Sequence, residues 1–437
     1  MEPFQFKYAD SSNVSQKELE HLGKKLKPEI KRVAHALATG YESAYASINL
    51  LTDQHLLDHI KNIVQEKKAL KPTMMIVIGI GGSNLGARAL YEAFYGSIYF
   101  GANDQAMRIY WADTVDPECI HALAQETTRA LNRSENILLA IISKSGTTTE
   151  TVANAQIFLD ILMKKKPQDY FKYVVTITDK DSSLWALSEQ EKFVSLEIPL
   201  KVGGRFSVFS AAGLFPLAMA DIDIEQVVHN ARYVVPEYTD EEIMNNPAAQ
   251  SAAILAHNYR QGKNIHDTFL FSPNLESLGK WYRQLLGESI GKEFNRDGHT
   301  VEVGITPTVS IGSTDLHSVG QLYLGGPKDK ITTFVMIDEL EDIQVPELAN
   351  FVQLAPSIQN KKLSFIMAAI EQGVKRAYLK KGLPFMSCVL HSKWHIAQWM
   401  QFKMFEIIYL GFLLDINPFD QPQVELYKEE TRELLKQ

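Results

Sequence analysis

Residues 74–86, MMIVIGIGGSNLG, combine a short apolar run (74–78) with a glycine-rich turn and the beginning of a helical pattern at 85–95. An apolar run of this length that stops at glycines is typical of a buried strand that turns directly into a helix. The same order returns at 137–142, where a strand-like run is followed by a polar loop and a helical stretch over 152–163. Because these runs are near-continuous rather than alternating, they predict a parallel sheet covered by helices on both faces.

The rest of the chain extends this pattern into a second, similar half. Further strands are predicted at 108–112, 173–178, 267–272 and 332–337, and further helices at 246–259, 273–286 and 363–378. The predicted fold class is therefore α/β, with two parallel-sheet domains, helices before them and a helical tail after them. We expect an N-terminal helical segment over 1–65, a first α/β domain over 66–224, a second over 225–416, and a C-terminal tail over 417–437.

Composition restricts the class of protein and its partners. The 437 residues are 45% hydrophobic and 22% charged, as in ordinary globular proteins, which excludes a disordered or fibrous chain. With 44 Lys and Arg against 52 Asp and Glu, the formal net charge is -8, and no long basic tract is present. Phosphate contacts dominate general nucleic-acid affinity, so we expect no nucleic-acid partner.

The cysteines and the apolar stretches indicate a compartment. Cys119 and Cys388 are far apart, which excludes zinc-finger spacing and suits a reducing compartment. The N-terminal residues lack an apolar signal core, and no apolar stretch reaches the ~18–20 residues that span a bilayer. We therefore expect a cytoplasmic protein with no membrane partner.

The first glycine-rich turn, GIGGSNLG (79–86), resembles a nucleotide-binding loop but matches neither common pattern. A dinucleotide fingerprint needs glycine where Asn84 stands, and the Gly-Lys-Ser/Thr of a phosphate-binding P-loop is absent. Glycines still let the backbone approach a ligand, and the N-terminus of the following helix favours anions. The alternative is a tight strand-to-helix turn with no ligand.

The second loop, SKSGTTTE (143–150), is the stronger candidate for an anion site. Five hydroxyl side chains and one lysine follow a predicted strand and precede a helix. Ligands of open α/β sheets bind at this end of the strands, and hydroxyls, free amides and one ammonium suit a phosphate monoester. The alternative is a simple helix cap, but a cap needs only one hydroxyl.

Candidate groups for chemistry lie outside these two loops. Arg205, between glycines and a Phe-Ser pair, could stabilise a developing oxyanion. Glu288, among apolar residues, could act as a base, with Gln284 one turn earlier on the same helix face. His317 and Lys428 are titratable residues in polar segments. For each of these residues the alternative is an ordinary exposed polar side chain.

Metal and hydrolase chemistry are not indicated. The histidines at i, i+4 spacing, His55 with His59 and His391 with His395, lack the glutamate and third ligand of a zinc-protease motif. The one Gly-x-Ser-x-Gly match, at 287–291, follows a predicted helix and does not join a strand to a helix as the serine-hydrolase motif does. We therefore expect no metal site.

Taken in chain order, the motifs resemble the glucose-6-phosphate isomerase family, in particular its compact bacterial members. The matching segments run from residue 79 to 428 and are GIGGSNLG (79–86), SKSGTTTET (143–151), VGGRFSVFSAAGLFP (202–216), QLLGESIGKE (284–293), STDLHS (313–318) and NPFDQPQVELYK (417–428). The resemblance implies two sugar-isomerase (SIS) domains, a homodimer with shared active sites, no cofactor, and interconversion of glucose 6-phosphate and fructose 6-phosphate in glycolysis and gluconeogenesis.

The resemblance also implies a role for each matching residue. It implies that the phosphate is held by Ser143, Lys144, Ser145 and Thr148, and that Gly82 and Ser83 line the sugar site. It implies that Arg205 stabilises the enediolate, Gln284 contacts substrate, and Glu288 moves the proton between C1 and C2. It implies that His317 and Lys428 assist ring opening, with the partner subunit's His317 serving each site.

The chemistry needs groups of these types. Ring opening moves a proton between the ring oxygen and the anomeric hydroxyl, which suits a histidine that titrates near neutral pH. One carboxylate can move a proton between adjacent carbons, a permanent cation can stabilise the enediolate, and a distant phosphate contact can orient the substrate.

Two alternatives stay open on the sequence alone. A non-catalytic sugar-phosphate sensor on the same fold would need the phosphate loop but not Glu288, His317 or Arg205, all of which are present. An isomerase for a related substrate, such as mannose 6-phosphate or an amino sugar, is the other.

Overall fold

Strands and helices alternate through most of the chain in the computed structural model, which describes residues 2–96, 107–338 and 341–436. The strands are β1 (Gln5–Lys7), β2 (Pro72–Ile78), β3 (Arg108–Ala112), β4 (Asn136–Ile142), β5 (Val174–Thr178), β6 (Val194–Glu197), β7 (Ile265–Leu270), β8 (Lys292–Phe294), β9 (Thr300–Val303), β10 (Thr306–Ile311), β11 (Lys330–Ile337) and β12 (Phe385–Leu390).

The helices have the following bounds. They are α1 (Gln16–Ala36), α2 (Gln54–Ala69), α3 (Leu85–Tyr95), α4 (Pro117–Asn132), α5 (Thr149–Lys165), α6 (Ser183–Glu191), α7 (Ala211–Met219), α8 (Ile224–Tyr233), α9 (Val235–Tyr238), α10 (Pro247–Arg260), α11 (Glu276–Ile290), α12 (Gly320–Gly325), α13 (Leu363–Lys381), α14 (His395–Leu413) and α15 (Val424–Leu434).

The chain divides into two compact units, each with its own parallel sheet. Unit A is Arg32–Arg232, and unit B combines Met1–Lys31 with Tyr233–Gln437. The domain boundaries predicted from the sequence, at 65/66, 224/225 and 416/417, stay predictions.

The sheet of unit A has the strand order β3-β2-β4-β5-β6, and every pairing in it is parallel. Its central strands are almost wholly buried, as near-continuous runs of Ile, Leu and Val require when helices cover both faces. The chain leaves β2 towards one edge of the sheet and crosses back to β4 on its other side. The carboxyl ends of β2 and β4 therefore form a topological switch point, where open α/β sheets bind ligands.

The sheet of unit B repeats this order. Its strands run β1-β12-β11-β7-β10, with parallel pairing except for the short edge strand β1, which is antiparallel to β12. If β1 is left aside, the crossover pattern of β7, β10, β11 and β12 matches that of β2, β3, β4 and β5. A separate antiparallel pair, β8 with β9, follows α11 directly.

The core of unit B is built around α14, which packs against α10 and α11. This helix is buried on nearly every face and is predominantly apolar, as is typical of a helix surrounded by others. Its two buried charges pair with each other, since Lys403 Nζ lies 2.7 Å from Glu406 Oε2 and both side chains are fully buried. Tyr282 of α11 donates to Glu406 Oε1 at 2.6 Å, which joins α11 to α14.

The predicted fold class is confirmed, and the elements that position the motifs lie where the sequence placed them. The six predicted strands correspond to β2, β3, β4, β5, β7 and β11. The N-terminal segment contains α1 and α2 as expected, but also β1, which was not predicted. Among the described residues, no helix combines the length and apolar character that crossing a membrane requires.

Candidate active site

The hydroxyl-rich turn of unit A lies directly after β4, at the switch point of its sheet. Ser143 is buried, and its Oγ lies 3.0 Å from Thr148 Oγ1 and accepts from the amide of Gly146 at 3.2 Å. Gly146 has a φ of +73°, and a Cβ there would lie 2.6 Å from the backbone nitrogen of Leu184, so only glycine suits this bend. The turn is therefore held by its own hydroxyls, while Ser145 remains exposed.

The turn leads into α5 in a way that leaves an anion site open. Thr148 is the N-cap residue of α5, but its side chain makes no capping hydrogen bond to the described residues. The simple helix-cap alternative is therefore not realised at Thr148. The first amides of a helix carry partial positive charge and bind anions, and α5 is long enough for this effect.

Lys144 supplies the cation of this turn. Its side chain is half-buried, and burial lowers the pKa of its ammonium below the usual value, while the Asp179 carboxylate partly opposes this shift. The backbone of Asp179 also supports the turn, because its amide donates to the Lys144 carbonyl at 3.3 Å. An anionic ligand bound beside this half-buried ammonium would stabilise its charged form and so offset the cost of desolvation.

The glycine-rich turn after β2 positions Arg205 through a backbone contact. A Cβ added to Gly82 would lie 2.1 Å from the carbonyl carbon and oxygen of Gly204, so the two turns touch as bare backbone. Ser207 joins them, because its Oγ donates to the Gly204 carbonyl at 2.7 Å and lies 3.2 Å from the Gly82 carbonyl oxygen. Arg205 is 2% exposed, and its guanidinium carbon lies 5.5 Å from the centroid of the Phe206 ring.

The glycine-rich turn after β2 and the hydroxyl-rich turn after β4 begin side by side. Ile78, at the end of β2, pairs with Ile141, and a Cβ on Gly79 would lie 2.7 Å from the Ile142 carbonyl oxygen. Next to Ser83, Asn84 is buried and donates to Asp113 Oδ2 at 3.0 Å, while its Oδ1 finds no partner among the described residues. The structure thus brings the predicted sugar-lining and phosphate-binding residues of unit A together at the carboxyl ends of neighbouring strands of the sheet.

In unit B, the predicted base and its neighbour lie on the last two turns of α11. Gln284 Nε2 donates to Glu288 Oε1 at 3.0 Å, as their i, i+4 spacing predicts. Both side chains are partly buried rather than fully solvated. The other amide atom, Gln284 Oε1, is buried and has no hydrogen-bond partner among the described residues, so it is available to accept a bond from a ligand hydroxyl.

Lys292 is a residue of this region to which sequence reasoning assigned no role. It lies one helical turn after Glu288, with a side chain only 5% exposed. Its Nζ donates to the Glu288 carbonyl at 2.6 Å and to the Asp420 carbonyl at 2.9 Å. The signal was present in the sequence as a lysine at i+4 from Glu288, but its second partner is 128 residues away and could not be predicted.

The structure leaves the remaining two candidates on the surface of unit B. His317 ends a single helical turn after β10, and its ring is exposed. Asp315 supports that turn instead of contacting the imidazole, because its carboxylate accepts from the Ile311 amide at 2.7 Å and from Ser318 Oγ at 2.9 Å. Lys428 lies on α15 and pairs with Glu425 at 2.7 Å, with both side chains exposed.

The described residues contain no group of three or more His, Cys, Asp or Glu side chains arranged to hold a metal ion. The two spaced histidine pairs have local structural partners. The rings of His55 and His59 stack 6.4 Å apart, and His391 Nδ1 lies 2.8 Å from Asp338 Oδ2.

Comparisons with known proteins agree with the motif pattern. A family model described as phosphoglucose isomerase matches residues 55–437. The chain is 34% identical, over 83% of its length and 78% of the relative's, to a probable glucose-6-phosphate isomerase of Methanococcus maripaludis. It is 34% identical, over 82% of its length and 83% of the relative's, to a glucose-6-phosphate isomerase of Thermus thermophilus. The crystal structure of a hypothetical protein from Thermus thermophilus superposes with a TM-score of 0.85 at 28% identity, covering 99% of both chains.

Proposed function

Because the chain belongs to the phosphoglucose isomerase family, we propose that it interconverts glucose 6-phosphate and fructose 6-phosphate by ring opening and an enediolate. The observation that carries the proposal is the turn at the switch point of unit A. It combines the Ser143 and Thr148 hydroxyls, the Lys144 ammonium and the N-terminus of α5. These are the groups that a phosphate monoester needs, and the same chain supplies a partly buried carboxylate, Glu288.

The phosphate of the substrate anchors the sugar. Ser143, Lys144, Ser145 and Thr148 bind its oxygens, and the binding energy of this non-reacting group orients the carbons that react. Gly82 and Ser83 line the space for the sugar, since the turn that contains them starts beside the phosphate turn.

Ring opening precedes isomerisation. His317 acts on the ring oxygen, and Lys428 assists by stabilising negative charge that develops there. We propose that the protein is a homodimer and that the partner subunit's His317 serves each site. The exposure of the His317 ring supports this role, because a residue that serves a second subunit must be on the surface of its own.

Proton transfer between carbons follows in the open chain. The Glu288 carboxylate removes the proton from C2 of the aldose, the electron pair of that bond forms the C1–C2 double bond, and O1 takes up the negative charge. The O2 hydroxyl proton is exchanged towards O1, and the Glu288 carboxylic acid returns its proton to C1, which gives the ketose. Gln284 holds the carboxylate through its amide N–H and offers its buried Oε1 to a substrate hydroxyl.

Arg205 stabilises the enediolate between these two steps. Its guanidinium stays charged at all relevant pH values, and burial strengthens its interaction with a developing oxyanion. The backbone contact of Gly82 with Gly204 fixes the turn that carries this side chain, so the cation is pre-organised before the substrate binds.

We also propose a cytoplasmic location with sugar phosphates as the partners and no nucleic acid, in line with the acidic net charge. The sensor alternative gains no support, because the matched relatives carry names of isomerases.

The decisive experiment is a coupled assay that supplies fructose 6-phosphate and reports glucose 6-phosphate, run beside Glu288→Gln as the matched variant. The purified wild-type chain is expected to convert fructose 6-phosphate to glucose 6-phosphate. The kcat of Glu288→Gln should be lower by about 10³-fold or more, because an amide cannot carry the proton. Binding of fructose 6-phosphate to the variant, measured by calorimetry, should be nearly unchanged. Near-normal turnover in Glu288→Gln would reject Glu288 as the base, and an inactive wild-type chain that still binds would favour the sensor.

A further inference from the structure

One buried ammonium in unit B joins two segments that carry proposed catalytic residues. Lys292 Nζ lies 2.6 Å from the carbonyl oxygen of Glu288 and 2.9 Å from that of Asp420. It also lies 3.7 Å from Asp420 Oδ1, and its side chain is only 5% exposed. Glu288 belongs to the last turn of α11, and Asp420 belongs to the segment that leads to α15 and Lys428.

A lysine is rarely buried without a reason. An ammonium removed from water is strongly destabilising unless its three donors find acceptors, and two backbone carbonyls with a nearby carboxylate meet that need here. The last carbonyls of a helix also carry partial negative charge, so a cation at the end of α11 is electrostatically favoured. The ammonium is thus stable only while both segments stay in contact with it.

The tail depends on such contacts for its position. The described residues of α15 include no buried side chain, so the helix with Lys428 is not fixed by a core of its own. The preceding segment is also held to the residues after α11 by contacts other than that of Lys292. Arg296 Nε donates to Asp415 Oδ1 at 2.8 Å, and Asn295 Nδ2 donates to Asp415 Oδ2 at 3.0 Å. Further along, Gln423 Nε2 donates to Glu293 Oε2 at 3.3 Å.

We propose that Lys292 is a positioning residue that sets the Lys428 segment relative to the Glu288 end of α11. The inference rests on the proposed function, in which both residues act on one sugar phosphate. Of these attachments, that of Lys292 reaches the backbone of Glu288 itself, whereas Arg296 and Gln423 contact the tail through residues further along the chain from Glu288. Loss of the ammonium should therefore affect the reaction more than phosphate binding, which the residues of unit A provide.

The test compares Lys292→Met, which keeps the length and loses the charge, with the control Arg296→Met, which loosens the same tail without touching Glu288. Lys292→Met is expected to lower kcat at least ~10-fold while KM changes less than about threefold, because a small displacement of reacting groups has this size of effect. Arg296→Met is expected to change both constants less than about threefold.

A double-variant cycle separates positioning from general damage. If Lys292 acts by placing Lys428, the kcat loss from Lys292→Met should shrink to less than about threefold in a Lys428→Ala background, since interacting sites are not additive. An equal loss in both backgrounds, or an unchanged kcat, would overturn the proposal. If Lys292→Met does not fold, Lys292→Arg replaces it in the same cycle. For Lys292→Arg we expect a smaller loss of kcat than for Lys292→Met and an unchanged thermal midpoint.

An arm without activity keeps this inference distinct from the proposed function. Backbone hydrogen exchange in residues 421–428 should be faster in Lys292→Met than in the wild type or in Arg296→Met, whether or not the chain is an isomerase. Faster exchange in a chain without isomerase activity would reject the function alone. Equal exchange in all three proteins would reject the joining role of Lys292 even in an active enzyme.

Discussion

In the phosphate site that we propose, the charged form of Lys144 is disfavoured in the free protein and favoured in the complex with substrate. Burial lowers its pKa, which means that the unoccupied turn disfavours the charge that a phosphate needs. A bound phosphate supplies negative charge at the same place and reverses this preference. The free protein therefore gives up some stability to hold a cation ready for its ligand, a common trade-off at binding sites.

Replacing this lysine should accordingly weaken binding without weakening the fold. Lys144→Met is expected to reduce the affinity for fructose 6-phosphate at least ~10-fold, because a charge-assisted contact to phosphate is lost. Calorimetric titration in the Glu288→Gln background measures this affinity without turnover. The thermal midpoint of the unliganded Lys144→Met protein at neutral pH should be equal to or above that of the parent.

The pH dependence has a defined sign. The folded-state pKa of Lys144 lies below the unfolded value near 10.5, so its destabilising effect is fully present below the folded pKa. This effect fades as the pH rises from the folded towards the unfolded pKa, so the difference in thermal midpoint between Lys144→Met and its parent should shrink in that alkaline range. A lower midpoint for Lys144→Met at neutral pH, or unchanged affinity, would contradict the assignment.

At the scale of elements, two turns from different parts of unit A act as one rigid piece. The turn after β2 and the turn that carries Arg205 touch through Gly82 and Gly204, with no side chain between them. Only glycine fits at position 82, because a Cβ there would collide with the Gly204 carbonyl and displace the turn that carries Arg205. The neighbouring Gly203 has an extended backbone with φ of -67°, and a Cβ there would meet Phe206 at an ordinary 3.6 Å.

This difference makes a matched pair of substitutions. Gly82→Ala is expected to lower kcat about 100-fold, because its Cβ must push the Arg205 turn away from its place. Gly203→Ala is expected to leave kcat within about threefold and to keep or slightly raise the thermal midpoint, since alanine fits that conformation. Steady-state kinetics and thermal melts of both variants check this, and equal kinetic effects in the two would argue against the backbone contact.

The strands that carry the motifs could be predicted from local sequence pattern, whereas strands that are ordered by distant pairing and packing could not. β2 and β4 are near-continuous apolar runs before glycine or hydroxyl turns, so their positions and their loops follow from local pattern. β10 contains Pro307 and several polar residues and was missed, because its order comes from pairing with β7 and from packing under α11. β1, with three residues, is ordered by its distant partner β12.

The candidate site likewise combines contacts that local spacing predicts with contacts between residues far apart in the sequence. The Gln284–Glu288 contact follows from helical spacing, and the glycine at 146 follows from the need for a bend. The role of Lys292 and the contact of Gly82 with Gly204 each join residues more than 100 positions apart in the sequence. Single-sequence patterns carry no information on such contacts.

At the scale of the whole molecule, two sheets of the same order carry different parts of the proposed chemistry. Unit A offers the anion turn and a buried arginine, and unit B offers the carboxylate, the exposed histidine and the tail lysine. Because the proposed phosphate-binding and proton-transfer residues belong to separate units, a single substitution can abolish one of these functions without affecting the other. This makes the assignment of residues to subunits testable by mixing defective chains.

His317→Ala and Glu288→Gln chains should each be inactive as homodimers and should regain activity when mixed, unfolded and refolded together. Random pairing of equal amounts makes about half of the dimers mixed, and one of the two sites in each is intact if the partner subunit's His317 serves it. The expected activity is thus about a quarter of the wild-type value, read in the coupled assay. The control mixture joins Glu288→Gln with Arg205→Met, two residues that we assign to the same chain's site, and should regain nothing. No recovery in the first mixture would reject the proposal that the partner subunit's His317 serves each site. Recovery in the control would reject the assignment of Glu288 and Arg205 to the same chain's site.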